Sequence, residues 1–211
     1  MVKKNKIQLI ITSAATLLPI VIGLILWKDL PAEIATHWGA NGEADGFSSK
    51  AFAVFGLPLI LLAFHWLCVI GTTKLDPKAK DISKKMMSLV LWIIPAVSIV
   101  MSTITYLVAL GKEIRVAFIV TVFMGIMFIV IGNYLPKCRQ SYTMGIKLPW
   151  TLNDEENWNK THRMAGILWV IGGIVILATA IFESFIIFFS IVALMVIVPT
   201  VYSYVYYKKH K

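Results

Sequence analysis

Charged side chains are nearly missing from most of this sequence. Asp, Glu, Lys and Arg make up 15% of its 211 residues, where a soluble domain carries about 25%. Hydrophobic residues reach 58%, so neither a disordered chain nor an ordinary water-soluble domain fits. Cysteine occurs only twice, at Cys68 and Cys138 and without metal-ligand spacing, which excludes a disulfide scaffold and a cysteine-rich metal site. There is no His-Glu-x-x-His, no Gly-x-Ser-x-Gly elbow and no pair of aspartates inside an apolar run. Those absences argue against an intramembrane protease or another membrane enzyme.

What is present is a set of long apolar runs. A bilayer core of about 30 Å takes about 20 residues of helix. Six segments meet that length: Ile7–Trp27, Ala51–Gly71, Met86–Leu110, Arg115–Leu135, Met164–Phe182 and Ser184–Tyr207. Lipid offers no water to satisfy backbone groups, and the runs are too long for barrel strands, so an all-α membrane protein with six transmembrane helices is predicted. Glu183 alone interrupts the last two segments, and a tight helical hairpin is expected there. The run after Lys3, Lys4 and Lys6 is too long for a signal peptide and reads as a retained anchor.

The net charge of +9 would suggest nucleic acid as a partner in a soluble protein. Here the placement of the charges decides otherwise. Three Lys lie before the first span, five in the second loop, three Lys and two Arg in the fourth, and three Lys at the C-terminus. Only Lys28, Lys50, Lys112 and Arg115 lie on the other side. Cytoplasmic loops collect Lys and Arg, so both termini are expected in the cytoplasm, with no nucleic-acid contact. Trp27, Trp150, Tyr204, Tyr206 and Tyr207 fall at the expected interfaces.

Within the spans the sequence carries almost nothing ionisable. His65 is the one titratable candidate besides cysteines and tyrosines, and Cys68 lies three residues on, on the same helical face. One such pair is too few ligands for zinc, so a packing role with His65 hydrogen-bonded to a neighbour is expected, and no metal or cofactor. Ion-coupled transporters carry acidic or histidine relays at membrane depth. Pro19, Pro95 and Pro199 leave open a second reading, a small transporter or exporter of a hydrophobic peptide with broken helices.

Two loops carry the remaining information. The first, residues 28–50, alternates at Ile34, Thr36 and Trp38 as a short strand does, and Asn41-Gly42 and Asp45-Gly46 are turn signals. A small structured external loop is predicted. Its Glu33, His37, Glu43 and Asp45 fit no calcium loop. In the fourth, cytoplasmic loop, Pro149 should stop any preceding helix, and Thr151 or Asn153 should cap a new one with Asp154, Glu155 and Glu156 in its first turn. Trp158, Thr161 and His162 then share a face, running almost continuously into the fifth span. Trp150 and Trp158 would seat this segment as an interfacial helix at the headgroups, and Asn133 needs a hydrogen-bond partner if it is buried. Such a loop suits either an anchor that sets helix depth or a docking surface for a ligand or regulator.

The stretches Gly132-Asn-Tyr-Leu-Pro-Lys, Met144-Gly-Ile-Lys-Leu-Pro-Trp-Thr-Leu and Trp158-Asn-Lys-Thr-His-Arg163 resemble the signature of the SdpI family of bacterial immunity proteins. Leu30-Pro31, His37-Trp38, Asn41-Gly42, Asp45-Gly46 and Ser49-Lys50 resemble the small uncharacterised domain often found ahead of it. The resemblance implies three parts: residues 1–71 as a two-span unit, 72–114 as a linker and third span, and 115–211 as the signature region. It implies a non-enzymatic protein that protects its producer from a secreted peptide toxin and acts as a receptor holding a winged-helix autorepressor at the membrane. On that reading Asn133, Pro136, Gly145, Lys147, Pro149, Trp150, Thr151, Trp158, Thr161, His162 and Arg163 form the docking motif. Pro31, His37, Trp38, Gly42, Asp45 and Gly46 shape the external loop. Lys147 stands where the family usually has Arg, which keeps the charge and loses the bidentate fork of a guanidinium.

Overall fold

Burial in this protein is reversed from the soluble pattern. In the first long helix, α1 (Lys6–Ile25), the buried stripe is Leu9, Thr12, Thr16, Pro19 and Gly23, while Ile7, Ile10, Leu18, Val21 and Ile25 are exposed. Small and polar side chains face the neighbouring helices and large apolar ones face outward, as lipid requires. The computed structural model describes residues 5–40 and 42–210, with the backbone alone for Asp81. Lys3, Lys4, Asn41 and Lys211, which entered the charge placement and the turn expectation, lie outside them.

Six helices among the described residues are long and apolar enough to cross a membrane. They are α1, α2 (Phe52–Leu75, with π turns at both ends), α3 (Lys84–Ala109), α4 (Val116–Tyr134, extended by a 3₁₀ turn to Lys137), α6 (Glu155–Thr179, extended to Phe182) and α7 (Phe185–Lys209). The chain is a multi-pass membrane protein. All six predicted spans are found within a few residues of their expected ends, except that α6 starts nine residues early at Glu155, the near-continuous run into the fifth span that the loop pattern suggested. The single helical turn α5 (Pro149–Leu152) precedes α6. The chain divides into two units, residues 1–73 with 88–116 and residues 74–87 with 117–211.

In the first unit, α1 meets α2 and α3 through hydrogen bonds. Gln8 donates to Ser88 Oγ at 2.7 Å, Ser98 Oγ to the Thr16 carbonyl at 2.8 Å, and Tyr106 to the Pro19 carbonyl at 2.9 Å. His65 Nε2 lies 3.1 Å from Thr12 Oγ1, the neighbour its packing role required. Cys68, however, is exposed while His65 is fully buried, so the two do not share a packed face. An offset of three residues turns a helix by about 300°, which here carries the thiol past the edge of the interface.

The first loop folds into an antiparallel hairpin of β1 (Glu33–Trp38) and β2 (Ala44–Ser49). Ile34 enters a cluster with Leu30, Ala53, Val54 and Tyr106, and this ties the hairpin to the helix ends. Gly42, at φ 78°, makes the turn and donates to the Gly39 carbonyl at 3.0 Å. Asp45-Gly46 does not turn. It lies inside β2 opposite His37, where a Cβ on residue 46 would come within 2.9 Å of the His37 Cβ, so glycine serves close cross-strand approach.

In the second unit, Glu183 takes a left-handed conformation (φ 48°) between α6 and α7, which makes the hairpin expected there. Gly132 and Gly166 bring α4 and α6 to backbone contact: a Cβ on Gly132 would lie 2.9 Å from the Gly166 carbonyl oxygen.

Candidate functional site

The residues of the fourth-loop motif gather at the start of α6. Asp154, extended at φ −139°, caps that helix by accepting from the Glu156 and Asn157 amides at 2.9 and 3.0 Å. This corrects the expectation of Thr151 or Asn153. Aspartate sits three residues closer to the apolar stripe than Thr151, and its charge suits the positive end of the helix. From this start Asn157, Trp158, Thr161, His162, Ala165 and Gly166 form one buried stripe.

Residues 138–148 fold over that stripe. The Trp158 indole donates to the Cys138 carbonyl at 2.8 Å and stacks on His162, with ring centroids 4.0 Å apart. The Ile146 amide donates to His162 Nε2 at 2.8 Å, so Nε2 is the unprotonated nitrogen and Nδ1–H donates to the Trp158 carbonyl at 2.8 Å. Both imidazole nitrogens are thereby used in one neutral tautomer. Gly145 approaches with φ 95°, and a Cβ there would lie 2.4 Å from His162 Nε2.

Trp158 has no exposed surface, which overturns its expected seat at the headgroups. Trp150 is half-buried, donates to Ser203 Oγ at 2.9 Å and lies against Tyr204 and Tyr207 of α7. Pro149 opens α5 at its first turn, where its missing N–H costs nothing; residues 138–148 before it are not helical, so it stops no helix. Thr151 is fully buried; its hydroxyl accepts from the Leu148 amide at 3.0 Å and lies 2.8 Å from the Ile146 carbonyl. Thr161 donates to Asn157 Oδ1, and Asn157 Nδ2 to the Ser203 carbonyl, both at 3.0 Å. Asn133 is exposed and so needs no buried partner. Lys147, Pro149 and Arg163 are exposed as well, and Pro136 packs its ring beside Gly166.

In the first loop, Pro31, His37 and Asp45 are exposed and Trp38, Gly42 and Gly46 half-buried. His37 Nδ1 and Asp45 Oδ1 are 2.5 Å apart across the hairpin. Phe47 is 62% exposed. No group of three or more potential metal ligands occurs among the described residues.

The sequence reading missed Asp76, which organises the fourth loop from the second. Its Oδ2 accepts from Ser141 Oγ at 2.5 Å, Thr143 Oγ1 at 2.7 Å, and the Tyr142 and Thr143 amides at 3.0 and 3.1 Å. Its Oδ1 takes the Lys78 amide at 2.8 Å. Burial pushes this carboxyl up, but the hydrogen bonds from Ser141, Thr143 and the Lys78 and Thr143 amides outweigh it and hold Asp76 below its usual range. Lys78 bonds Gln140, which in turn donates to the Thr151 and Leu152 carbonyls at 3.0 and 2.8 Å. The available signal was an Asp-Pro step within a lysine-rich loop.

Cys138 is 3% exposed, and burial with the nearby Asp76 charge pushes its thiol up to about 11. Only the thiolate reacts. In a Cys68→Ser background, iodoacetamide at pH 8 should therefore modify the folded protein at least ~100-fold more slowly than the denatured chain. Comparable rates in quantitative mass spectrometry would show that the loop does not cover Cys138.

Comparison with known proteins agrees with the motifs. The profile of the SdpI/YfhL protein family matches residues 137–203, and that of DUF1648, a domain of unknown function, matches residues 14–62. The Immunity protein SdpI of Bacillus subtilis (strain 168) is 29% identical over 213 residues, covering 98% of this chain and 97% of that protein. No solved structure matches. Residues 137–203 thus resemble the SdpI/YfhL family and residues 14–62 the DUF1648 domain, and the similarity to an SdpI immunity protein extends along nearly the whole chain.

Proposed function

We propose that this protein is a membrane immunity protein that protects its cell from a secreted peptide toxin. The observation that carries the reading is the end-to-end similarity to an immunity protein: 98% of the chain aligns, both loops included. The Lys and Arg placement supports an orientation with the termini and the fourth loop in the cytoplasm and the hairpin outside. There Phe47 and the His37–Asp45 pair offer the toxin an aromatic side chain and a hydrogen-bonded polar pair beside the outer helix ends. Inside, the buried Trp158, Thr161, His162 and Thr151 hold the shape of the loop. Lys147, Pro149 and Arg163 on its surface, with the edge of Trp150, are the groups a cytoplasmic autorepressor would touch.

The test is membrane potential in a sensitive bacterium challenged with the family's killing peptide. Cells expressing the protein should keep their potential. A His37→Ala/Phe47→Ser variant at equal membrane level should shift the protective dose at least about tenfold, since losing an exposed aromatic anchor costs about 1–2 kcal/mol. Lys147→Gln/Arg163→Gln should leave protection intact and abolish retention of the repressor at the membrane. Collapse of the potential in wild-type cells despite good expression would refute immunity to that peptide.

A further inference from the structure

Where the start of α6 meets the end of α7, a recess of about 380 Å³ is lined by Lys160, Tyr202, Val205, Tyr206, Lys209 and His210. Its polar wall is a stacked frame. The Tyr206 and His210 rings lie 4.0 Å apart at 20°, and Lys160 Nζ sits 4.6 Å from the centre of the Tyr206 ring. Lys160 gives one proton to Glu156 at 2.9 Å and one to the Tyr206 hydroxyl at 3.3 Å, so one of its three donors remains. Lys209 has no acidic partner among the described residues.

The recess opens onto an apolar stripe. Val198, Val201, Tyr202 and Val205 are 40, 53, 37 and 57% exposed, and their spacing of three and four places them on one face of α7. Lys209, four residues beyond Val205, continues the same face and ends it in a charge. An acyl-length apolar track that runs into two ammonium groups and an aromatic frame matches an amphiphile with an anionic head. A soluble anion would have no use for the track.

We propose that this recess binds an anionic phospholipid, its phosphate held by Lys160 and Lys209 and one acyl chain lying along Val198–Val205. The test is native mass spectrometry of the full-length protein released from detergent, titrated with dioleoyl phosphatidylglycerol or dioleoyl phosphatidylcholine. The wild type should retain phosphatidylglycerol at least fivefold more readily. Lys160→Gln/Lys209→Gln should bring the ratio close to one. Lys209→Gln alone, which breaks no described contact, should at least halve the ratio. A charge-matched Lys80→Gln/Lys85→Gln control, at exposed positions, should leave it unchanged. An unchanged preference in the double variant, an equal loss in the control, or displacement of the lipid by an equal concentration of inorganic phosphate would each overturn the proposal.

Discussion

Gly145→Ala is expected to destabilise the fourth loop by roughly 3 kcal/mol, enough to lower the unfolding midpoint by about 10 °C in a chain of this size. Two separate costs add. The backbone at φ 95° is one that a β-carbon disfavours by about 1–2 kcal/mol. The new methyl would also stand 2.4 Å from His162 Nε2 and 2.8 Å from the Trp158 ring, an overlap of the kind that costs about 1–3 kcal/mol. The imidazole has no free direction of retreat, because its stack on Trp158 and its Nδ1 bond fix the ring from the other side. Moving the loop instead would break the Ile146 amide bond to Nε2. Gly111→Ala supplies the control: φ there is 71°, but nothing lies within 4 Å of the added carbon, so only the backbone cost remains. Tryptophan fluorescence during thermal unfolding in detergent should show the Gly145 variant melting well below the Gly111 variant. Equal shifts would mean that the closeness of residue 145 to His162 does not matter.

The features legible in the sequence are those written in short-range pattern. Run length and missing charge located the spans, because bilayer thickness fixes helix length. Glu183 marked a turn because one apolar stretch of that length cannot lie straight in a bilayer. Alternation at Ile34, Thr36 and Trp38 revealed β1, and helical spacing placed Trp158, Thr161 and His162 on one buried face. The cap of α6 was misplaced because several consecutive residues can cap a helix and only the fold selects among them.

What was not legible depends on contacts between distant segments. Trp158 reads as an interface anchor because aromatic residues near a span end usually are one. Its burial follows from residues 138–148 folding back over it, twenty positions away in the case of Cys138. Asp45-Gly46 carries a turn dipeptide, yet the close approach of His37 uses that glycine within a strand. The same limit hid Asp76, whose partners in the fourth loop lie 65 to 67 positions along the chain.

Asp76→Asn should cost about 2–3 kcal/mol at neutral pH, and that deficit should vanish in acid. The carboxylate is 4% exposed and accepts at both oxygens. Hydrogen bonds to a charged group contribute about 1.5–3 kcal/mol each, and an orphaned buried donor is penalised. Asparagine cannot accept at both positions. If its amide nitrogen faces residues 141–143, the hydroxyls of Ser141 and Thr143 can rotate to accept, but the Tyr142 and Thr143 amides cannot reverse. If its oxygen faces them, the Lys78 amide loses its partner. In the wild type the folded carboxyl titrates below its ordinary value of 3.8. Its contribution is therefore complete above that pH and is lost as the pH falls through the folded value. The wild-type protein and the Asp76→Asn variant should differ in midpoint by about 6–10 °C at pH 7 and converge at the acid limit, where both carry a neutral side chain. A gap that persists undiminished in acid would assign the effect to shape rather than charge. No gap at pH 7 would mean that the second loop does not hold the fourth, and with it would fall the account of why Trp158 and His162 are buried.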